Sequence, residues 1–314
     1  MLESAFLFVG TPARPSCHCA SITELPGGEL FATWYAGGHE GNPDVVIMAA
    51  RYREGAWREP GVLVDPPGQP AGNTVVYHHD GDLWHFYDVI EGEGWNSAIL
   101  RLARSTDGGA TWSEPQLFDP EPGMMVRHRP VQLSTGRILL PAYDEKVWRG
   151  FPYITDDGGA TWRRGGWMAA EEAGAIQPAI IEREDGTLFA ILRSGREVEH
   201  AWQCVSADGG ESWRACKPAP LHNPNSGADM IRLASGEVIT CFNDTPIGRT
   251  PLTLAISHDE GRTWAARRDL EDAPGEYSYP TLMPATDGSV HLVYTWRRER
   301  IRWVRFEAGW IEGG

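Results

Sequence analysis

Six times along the chain an apolar stretch runs into a short polar turn and out again. The turns are LPGGEL (25–30), HDGDLW (79–84), STGRIL (134–139), EDGTLF (184–189), ASGEVI (234–239) and TDGSVH (286–291). Their flanks, such as LFATWYA, ILLPAY and LFAILR, carry the apolar and aromatic side chains of strands. A glycine sits in each turn: Gly28, Gly81, Gly136, Gly186, Gly236 and Gly288. Such a turn between two strand-like flanks predicts a β-hairpin. The six hairpins recur about every fifty residues, which leaves room for four strands per unit.

A second phrase recurs at the same period. It reads STDGGATW (105–112), TDDGGATW (155–162), SADGGESW (206–213) and SHDEGRTW (257–264), with a decayed copy RYREGAW at 51–57. Asp with Gly-Gly tolerates left-handed backbone, Ser and Thr bond local amides, and the closing Trp can pack beneath the turn. The phrase therefore predicts a structural device, and most of the fourteen tryptophans become packing residues. Repeated four-stranded units stack around an axis as a propeller. The expected fold is all-β: a six-bladed β-propeller of four-stranded antiparallel blades, with residues 1–314 as one domain.

Composition narrows the partners. The chain has 314 residues, 41% of them hydrophobic and 23% charged, as expected of a soluble globular protein. Its net charge of −15 argues against nucleic acid or an anionic membrane as partner, and makes any anionic ligand depend on a local cluster of cations. Five cysteines, Cys17, Cys19, Cys204, Cys216 and Cys241, do not form a disulfide framework. No apolar run is long enough to span a bilayer. The opening MLESAFLFVG lacks a basic n-region and a full apolar h-region, so a cytoplasmic location is expected. No His, Cys and Asp cluster has metal-ligand spacing, and no cofactor is expected.

The hairpin register points to a site. Counting from each turn glycine, the first strand begins about nine residues earlier and its partner ends seven residues later. The early positions give His18, Asn73, Arg127, Gln177, Asn225 to Gly227, and Tyr279. The late ones give Tyr35, Asp88, Tyr143, Arg193, Asn243 and Thr295. A ring of polar groups at equivalent strand ends makes poor core and a good concave ligand site. Neighbouring loops add His39, Glu40 and Asp44; His128 and Arg129; Asp144, Glu145 and Lys146; Arg249; Glu276 and Tyr277. Arginines gathered in an acidic chain suit an anionic ligand, a carboxylate above all. The plainer alternative makes Arg127, Arg129 or Lys146 a salt-bridge partner of Asp144 or Glu145.

The repeated S-x-D-x-G-x-T-W phrase at blade spacing resembles the Asp-box, or BNR repeat, of the sialidase (neuraminidase) superfamily, and the similarity covers essentially the whole chain. The resemblance implies a six-bladed propeller. It also implies an arginine triad for a substrate carboxylate, a Tyr nucleophile paired with a Glu, and an Asp acid/base. His18, in CHCASITELPGG, falls where the first triad arginine is expected. Arg193 in AILRSG and Arg249 in GRTPLTLAIS match the second and third. Tyr279 in YPTLMPATDG matches the nucleophile, with Tyr277 as a rival. Glu40 and then Asp44, in GGHEGNPDV, fall nearest the acid/base, and the Glu partner falls on Gln177. His18 removes a permanent charge, and Gln177 removes the expected base, for which Glu276 or Glu145 is a substitute.

The implied activity is that of an exo-acting glycoside hydrolase removing a terminal carboxylate-bearing sugar, with carbohydrate as the partner. Tyr279, Glu40, Asp44, His18 and Glu276 are the candidate catalytic residues. Arg193, Arg249, Arg127, His128, Gln177, Tyr143, Asn225 and Asn243 are the candidate substrate-binding residues. A phenol nucleophile avoids the repulsion that a carboxylate nucleophile meets at a carbon bearing a carboxylate. His18 also allows a second chemistry, β-elimination of a uronate with Tyr279 and the imidazole as acid and base. A sugar-binding propeller without catalysis is the third reading.

Overall fold

The computed structural model describes residues 2–313. Apart from two single-turn 3-10 helices at Trp95–Ser97 and Ala308–Trp310, its regular elements are strands. Each of the six glycine turns joins an antiparallel pair. The pairs are Ser16–Leu25 with Glu29–Gly37, Ala71–His79 with Asp82–Ile90, Val131–Gln132 with Ile138–Asp144, Ala175–Glu182 with Leu188–Ser194, Asp229–Arg232 with Val238–Phe242, and Tyr277–Pro284 with Val290–Trp296. The turn glycines have φ between 79° and 105°, which a side chain would strain.

The strands form five sheets, where six uniform units of four were expected. Three sheets have four strands. A fourth has five, because Val46–Arg53 pairs with both Ala56–Trp57 and Gly61–Val64. The fifth has nine strands, because one parallel pairing of Arg149 with Ala175 bridges two antiparallel groups. The N-terminal strand Glu3–Val9 completes the C-terminal sheet by pairing with Arg300–Phe306, which ties the two ends of the chain together. First strands of successive groups lie side by side. Ser16–Leu25 touches Ala71–His79, Ala175–Glu182 touches Asp229–Arg232, and Tyr277–Pro284 touches both Asp229–Arg232 and Ser16–Leu25.

The aspartate phrases are spent on their own turns. Hydroxyls of Ser105, Thr155, Ser206 and Ser257 donate to Asp107, Asp157, Asp208 and Asp259 and accept the amides of Gly109, Gly159, Gly210 and Gly261. The carboxylates accept from the amide and hydroxyl of Thr111, Thr161, Ser212 and Thr263. These bonds hold the carboxyls of Asp157 and Asp208 down at about 2. The closing tryptophans pack on the core: Trp57 against Trp303, Trp162 against Trp84 and Phe118, and Trp213 and Trp264 on two further clusters. A cryptic copy, FEAGW at 306–310, does the same with Trp310 on Phe306.

Arginines then staple one unit to the next. Arg51 donates to the Gly108 carbonyl and Arg104 to Gly159. Arg137 donates to Gly209 at 3.0 Å and Arg183 to Glu260 at 3.1 Å. Each of these four phrases thus takes a charged donor from the preceding unit, which satisfies a carbonyl of its tight turn.

The ends of the hairpins away from the glycine turns are irregular in a repeated way. Pairing register shifts between His18 and Ser21, Ala71 and Thr74, Ile176 and Ala179, and Ser278 and Thr281. Within three of these bulges Cys19, Gln177 and Tyr279 hold φ of 59°, 53° and 54°. A bulge re-aims the side chain it carries, and these positions set the geometry of the site.

Candidate active site

Tyr279 occupies the centre, 8% exposed. Its hydroxyl accepts from Arg193 Nη1 at 2.5 Å and from Gln177 Nε2 at 3.3 Å. Three guanidinium carbons stand over its ring, those of Arg127, Arg249 and Arg193 at 5.0, 5.5 and 5.8 Å from the centroid. The His18 ring lies 4.1 Å from the Tyr279 ring. No carboxylate bonds the phenol among the described residues, so its expected acidic partner is replaced by an arginine and an amide. The rival Tyr277 is 1% exposed and packs in the core beside Trp296, away from this cluster.

His18 is sealed rather than presented. It is 2% exposed, with Nδ1 against Thr295 Oγ1 at 2.7 Å and Nε2 without a partner. Burial first, and then the field of Arg298, Arg249, Arg127 and Arg193, keeps it neutral by pushing its pKa well below the usual histidine range.

The arginines divide into two kinds. Arg127 is 1% exposed and donates to the Pro280 carbonyl and to Thr281 Oγ1, both at 2.9 Å. It therefore holds the backbone next to Tyr279, and the salt bridge to Asp144 or Glu145 does not form. Asp144 instead accepts the Lys146 amide at 2.7 Å. Arg193 and Arg249 are half-buried. Arg193 Nε donates to Asn225 Oδ1 at 2.6 Å, and Arg249 Nη1 to Glu276 at 2.8 Å. Both line a cleft of about 480 Å³ with Arg196, Val198, Asn225 and Ile247.

The expected acids are held elsewhere. Glu40 forms an ion pair with Arg298. Asp44 is exposed and caps its own loop by accepting the Gly38 amide at 2.9 Å. Glu276 lies between Arg249 and Arg298 rather than beside the phenol. Burial opposes its ionisation, but Arg298 and Arg249 outweigh that and hold its pKa below the usual range.

Three predicted ligand contacts are buried and bonded to other protein groups. Asn243 gives its amide hydrogens to the carbonyls of Pro251 and Tyr277 at 3.0 and 2.8 Å. His128, 2% exposed, sits against the Pro178 carbonyl at 3.1 Å. Tyr143, also 2% exposed, takes hydrogen bonds from Asn73 at 3.0 Å and Gln177 at 3.4 Å, below Tyr279.

The register missed one group, Arg298, and placed another, Asp88, that proves sealed. Arg298 lies in a turn after the last ring position, yet bonds Glu276 Nε-to-Oε1 at 2.6 Å as well as Glu40. Asp88 is fully buried with both carboxyl oxygens unpartnered, and burial pushes its pKa well up. Among the described residues, no group of three or more His, Cys, Asp or Glu is placed to hold a metal ion.

A family model described as a BNR repeat-like domain matches residues 28–292. A sialidase from Micromonospora viridifaciens is 25% identical over a 357-residue alignment that covers 97% of this chain and 53% of that one. The chain spans about half the length of the first curated relatives it matches. The NanB sialidase of Streptococcus pneumoniae superposes with a TM-score of 0.82 at 11% identity, over 97% of this chain and 70% of that one. A Dyadobacter fermentans protein of unknown function superposes at 0.80 and 17% identity, over 97% and 98%. These structural likenesses bear on the fold, which is the all-β fold of the sialidase propellers.

Proposed function

The chain belongs to the sialidase-like BNR-repeat superfamily, and from that membership we propose that it is a six-bladed propeller acting as an exo-glycoside hydrolase on a terminal carboxylate-bearing sugar. The nine-stranded sheet is read as two blades joined at Arg149 and Ala175, and the side-by-side first strands as the walls of a central axis.

The observation that carries this reading is the set of three guanidiniums around one phenol. Arg193 and Arg249 stand over the Tyr279 ring, and Arg193 also bonds the hydroxyl. A planar guanidinium pair matches a carboxylate. A substrate carboxylate held there brings its anomeric carbon toward the Tyr279 oxygen. The arginine hydrogen bond stabilises negative charge on that oxygen as it attacks. Gln177 cannot act as base. Neutral His18, with Nδ1 against Thr295 and Nε2 without a protein partner, lies beside the phenol ring, where burial and the arginines make it a weak base.

The test is a panel of sialosides and uronides with chromogenic aglycones, with products identified by NMR. Release of the free sugar supports hydrolysis. The presence of Gln177 where a carboxylate base is expected favours a second reading, β-elimination through His18 and Tyr279. That reaction forms a double bond and shows itself by ultraviolet absorbance. Binding without turnover would leave the chain a sugar-binding propeller.

A further inference from the structure

We propose that a groove between the strands Leu188–Ser194 and His200–Ser206 and the aspartate phrase at 257–264 is a second binding site, which takes the phosphate monoester of a small molecule. The site is independent of the hydrolase reading. The groove has a volume of about 350 Å³, and Arg183, Arg214, Lys217 and Arg262 line it, with Phe189 and Cys204 on its apolar wall. No Asp or Glu is among its wall residues. These four cations meet in a chain whose net charge is −15. The groove lies apart from Tyr279. Leu188–Ser194 carries Phe189 beside its glycine turn and Arg193 near its other end, about 13 Å further along the strand.

The repeat supplies an internal comparison. A staple needs one arginine, and Arg183 fills that place here: it donates to the Glu260 carbonyl at 3.1 Å and lies over the Phe189 ring at 4.4 Å. The corresponding groove, where Arg51 lies over Phe31 beside Gly109, has a volume of about 230 Å³. Its second arginine, Arg58, is paired with Glu54, and Glu59 adds a negative charge to its wall. The groove at Gly261 lacks that balance. Arg262 pairs with Glu260 at 3.0 Å, whereas Arg214 and Lys217 are exposed and form no ion pair among the described residues. Burial first, and then Arg262, pull the Arg183 pKa down, against Glu260, Asp185 and Asp259. The staple therefore explains one cation and leaves Arg214 and Lys217 surplus to it. A phosphate monoester carries a charge of about −1.5 to −2 at pH 7, which matches two surplus cations better than a carboxylate does. Its tetrahedral oxygens can take a guanidinium fork and an ammonium together. Phe189 and Cys204 then face the carbon skeleton, and the volume is at the lower end of the range of about 300–1,000 Å³ for small-molecule sites.

The chain has two lysines, and they report on the two sites separately. Lys217 lines the groove, and Lys146 is three residues beyond Tyr143, on the active-site side; both are exposed. The full chain is acetylated with an amine-reactive ester, with and without glucose 6-phosphate, and each lysine is followed by peptide mass spectrometry. At ten times its Kd the phosphate should slow acetylation of Lys217 about tenfold and leave Lys146 unchanged. Glucose should protect neither lysine. In titration calorimetry Arg193→Ala should bind glucose 6-phosphate as the wild type does. Replacing both Arg214 and Lys217 by Ser should weaken binding about tenfold or more, through two lost charge-assisted bonds. Glucose 6-sulfate, with a single negative charge, should bind more weakly than the phosphate. Protection of Lys146 but not Lys217, or affinity lost in Arg193→Ala and kept in the double variant, would place the anion at the active site and overturn the proposal. No binding by the wild type, or a sulfate ester bound as tightly as the phosphate, would overturn it too. Should the double variant fail to fold, the labelling pattern of the wild type decides.

Discussion

Arg193 Nη1 donates to the Tyr279 hydroxyl at 2.5 Å, although the two residues are 86 positions apart in the chain. The contact exists because two bulges turn inward. Gln177, opposite the end of the Arg193 strand, and Tyr279 both hold left-handed backbone, which aims their side chains at one point. Tyr279→Phe keeps the ring over Arg127 and beside His18 and removes only the oxygen. Turnover of a cleaved acidic glycoside is expected to fall by about 10³-fold or more. Stability should change by less than about 1.5 kcal/mol, the scale of one hydrogen bond. Calorimetry paired with the rate assay checks both, and full activity in the variant would end the covalent proposal.

Arg193→Ala and Arg249→Ala should each weaken binding of an acidic sugar by about 2–5 kcal/mol, the range for removing one partner of a desolvated charge pair. Their stability effects should differ. Removing Arg193 frees Asn225 and the phenol, both neutral acceptors. Removing Arg249 strips Glu276 of one of its two cations and leaves Arg298 to hold it alone. Arg249→Ala is therefore expected to lower the melting temperature more than Arg193→Ala. Titration calorimetry with a neutral and an acidic monosaccharide isolates the binding term; equal affinity of the wild type for both sugars would count against a carboxylate site.

The hairpins were legible because a turn glycine at positive φ is a local demand, and the strand-end ring followed from it. His18 pairs Tyr35 as counting from the glycines implies, whereas Thr295 pairs Ser278, one residue short of the Tyr279 that the count gives. The bulges were not legible, since one extra residue in a strand changes no composition. The bulge between Ser278 and Thr281 presents the Pro280 carbonyl that Arg127 bonds beside Tyr279. Arg298 was hidden for another reason. It meets Glu40 only because the chain ends close on each other, 258 residues apart in sequence. The sixth phrase, FEAGW, lacks the aspartate that made four of the others visible.

Sequence position alone suggests that His18→Arg would rebuild a third arginine of the site. The structure argues for a different outcome. The imidazole is 2% exposed and already feels four guanidiniums, those of Arg298, Arg249, Arg127 and Arg193. A fixed cation in that place lacks water and adds to a local excess of positive charge. His18→Arg is expected to cost about 3 kcal/mol or more of stability, as for a buried charge without its partner, and His18→Gln much less. Denaturant titration of both variants decides it. An unchanged midpoint for His18→Arg, with tighter sialoside binding, would mean that this part of the mouth opens to ligand.

Glu145 makes a stability prediction that needs no substrate. Its folded pKa is raised from 4.5 to about 7, chiefly by burial. The folded state therefore holds the proton more tightly than the unfolded chain does. The sign follows: the stabilising contribution is complete below 4.5 and is lost as pH rises through about 7. Each unit of difference is worth about 1.4 kcal/mol, so the full loss is at most about 3.5 kcal/mol. Glu145→Gln carries no proton to lose. Between pH 5 and 8, values that bracket the transition, the variant should gain stability relative to wild type, with the difference growing as the carboxyl ionises. Urea unfolding of both chains at several pH values measures it. A difference that stays constant with pH would place the Glu145 carboxyl in water.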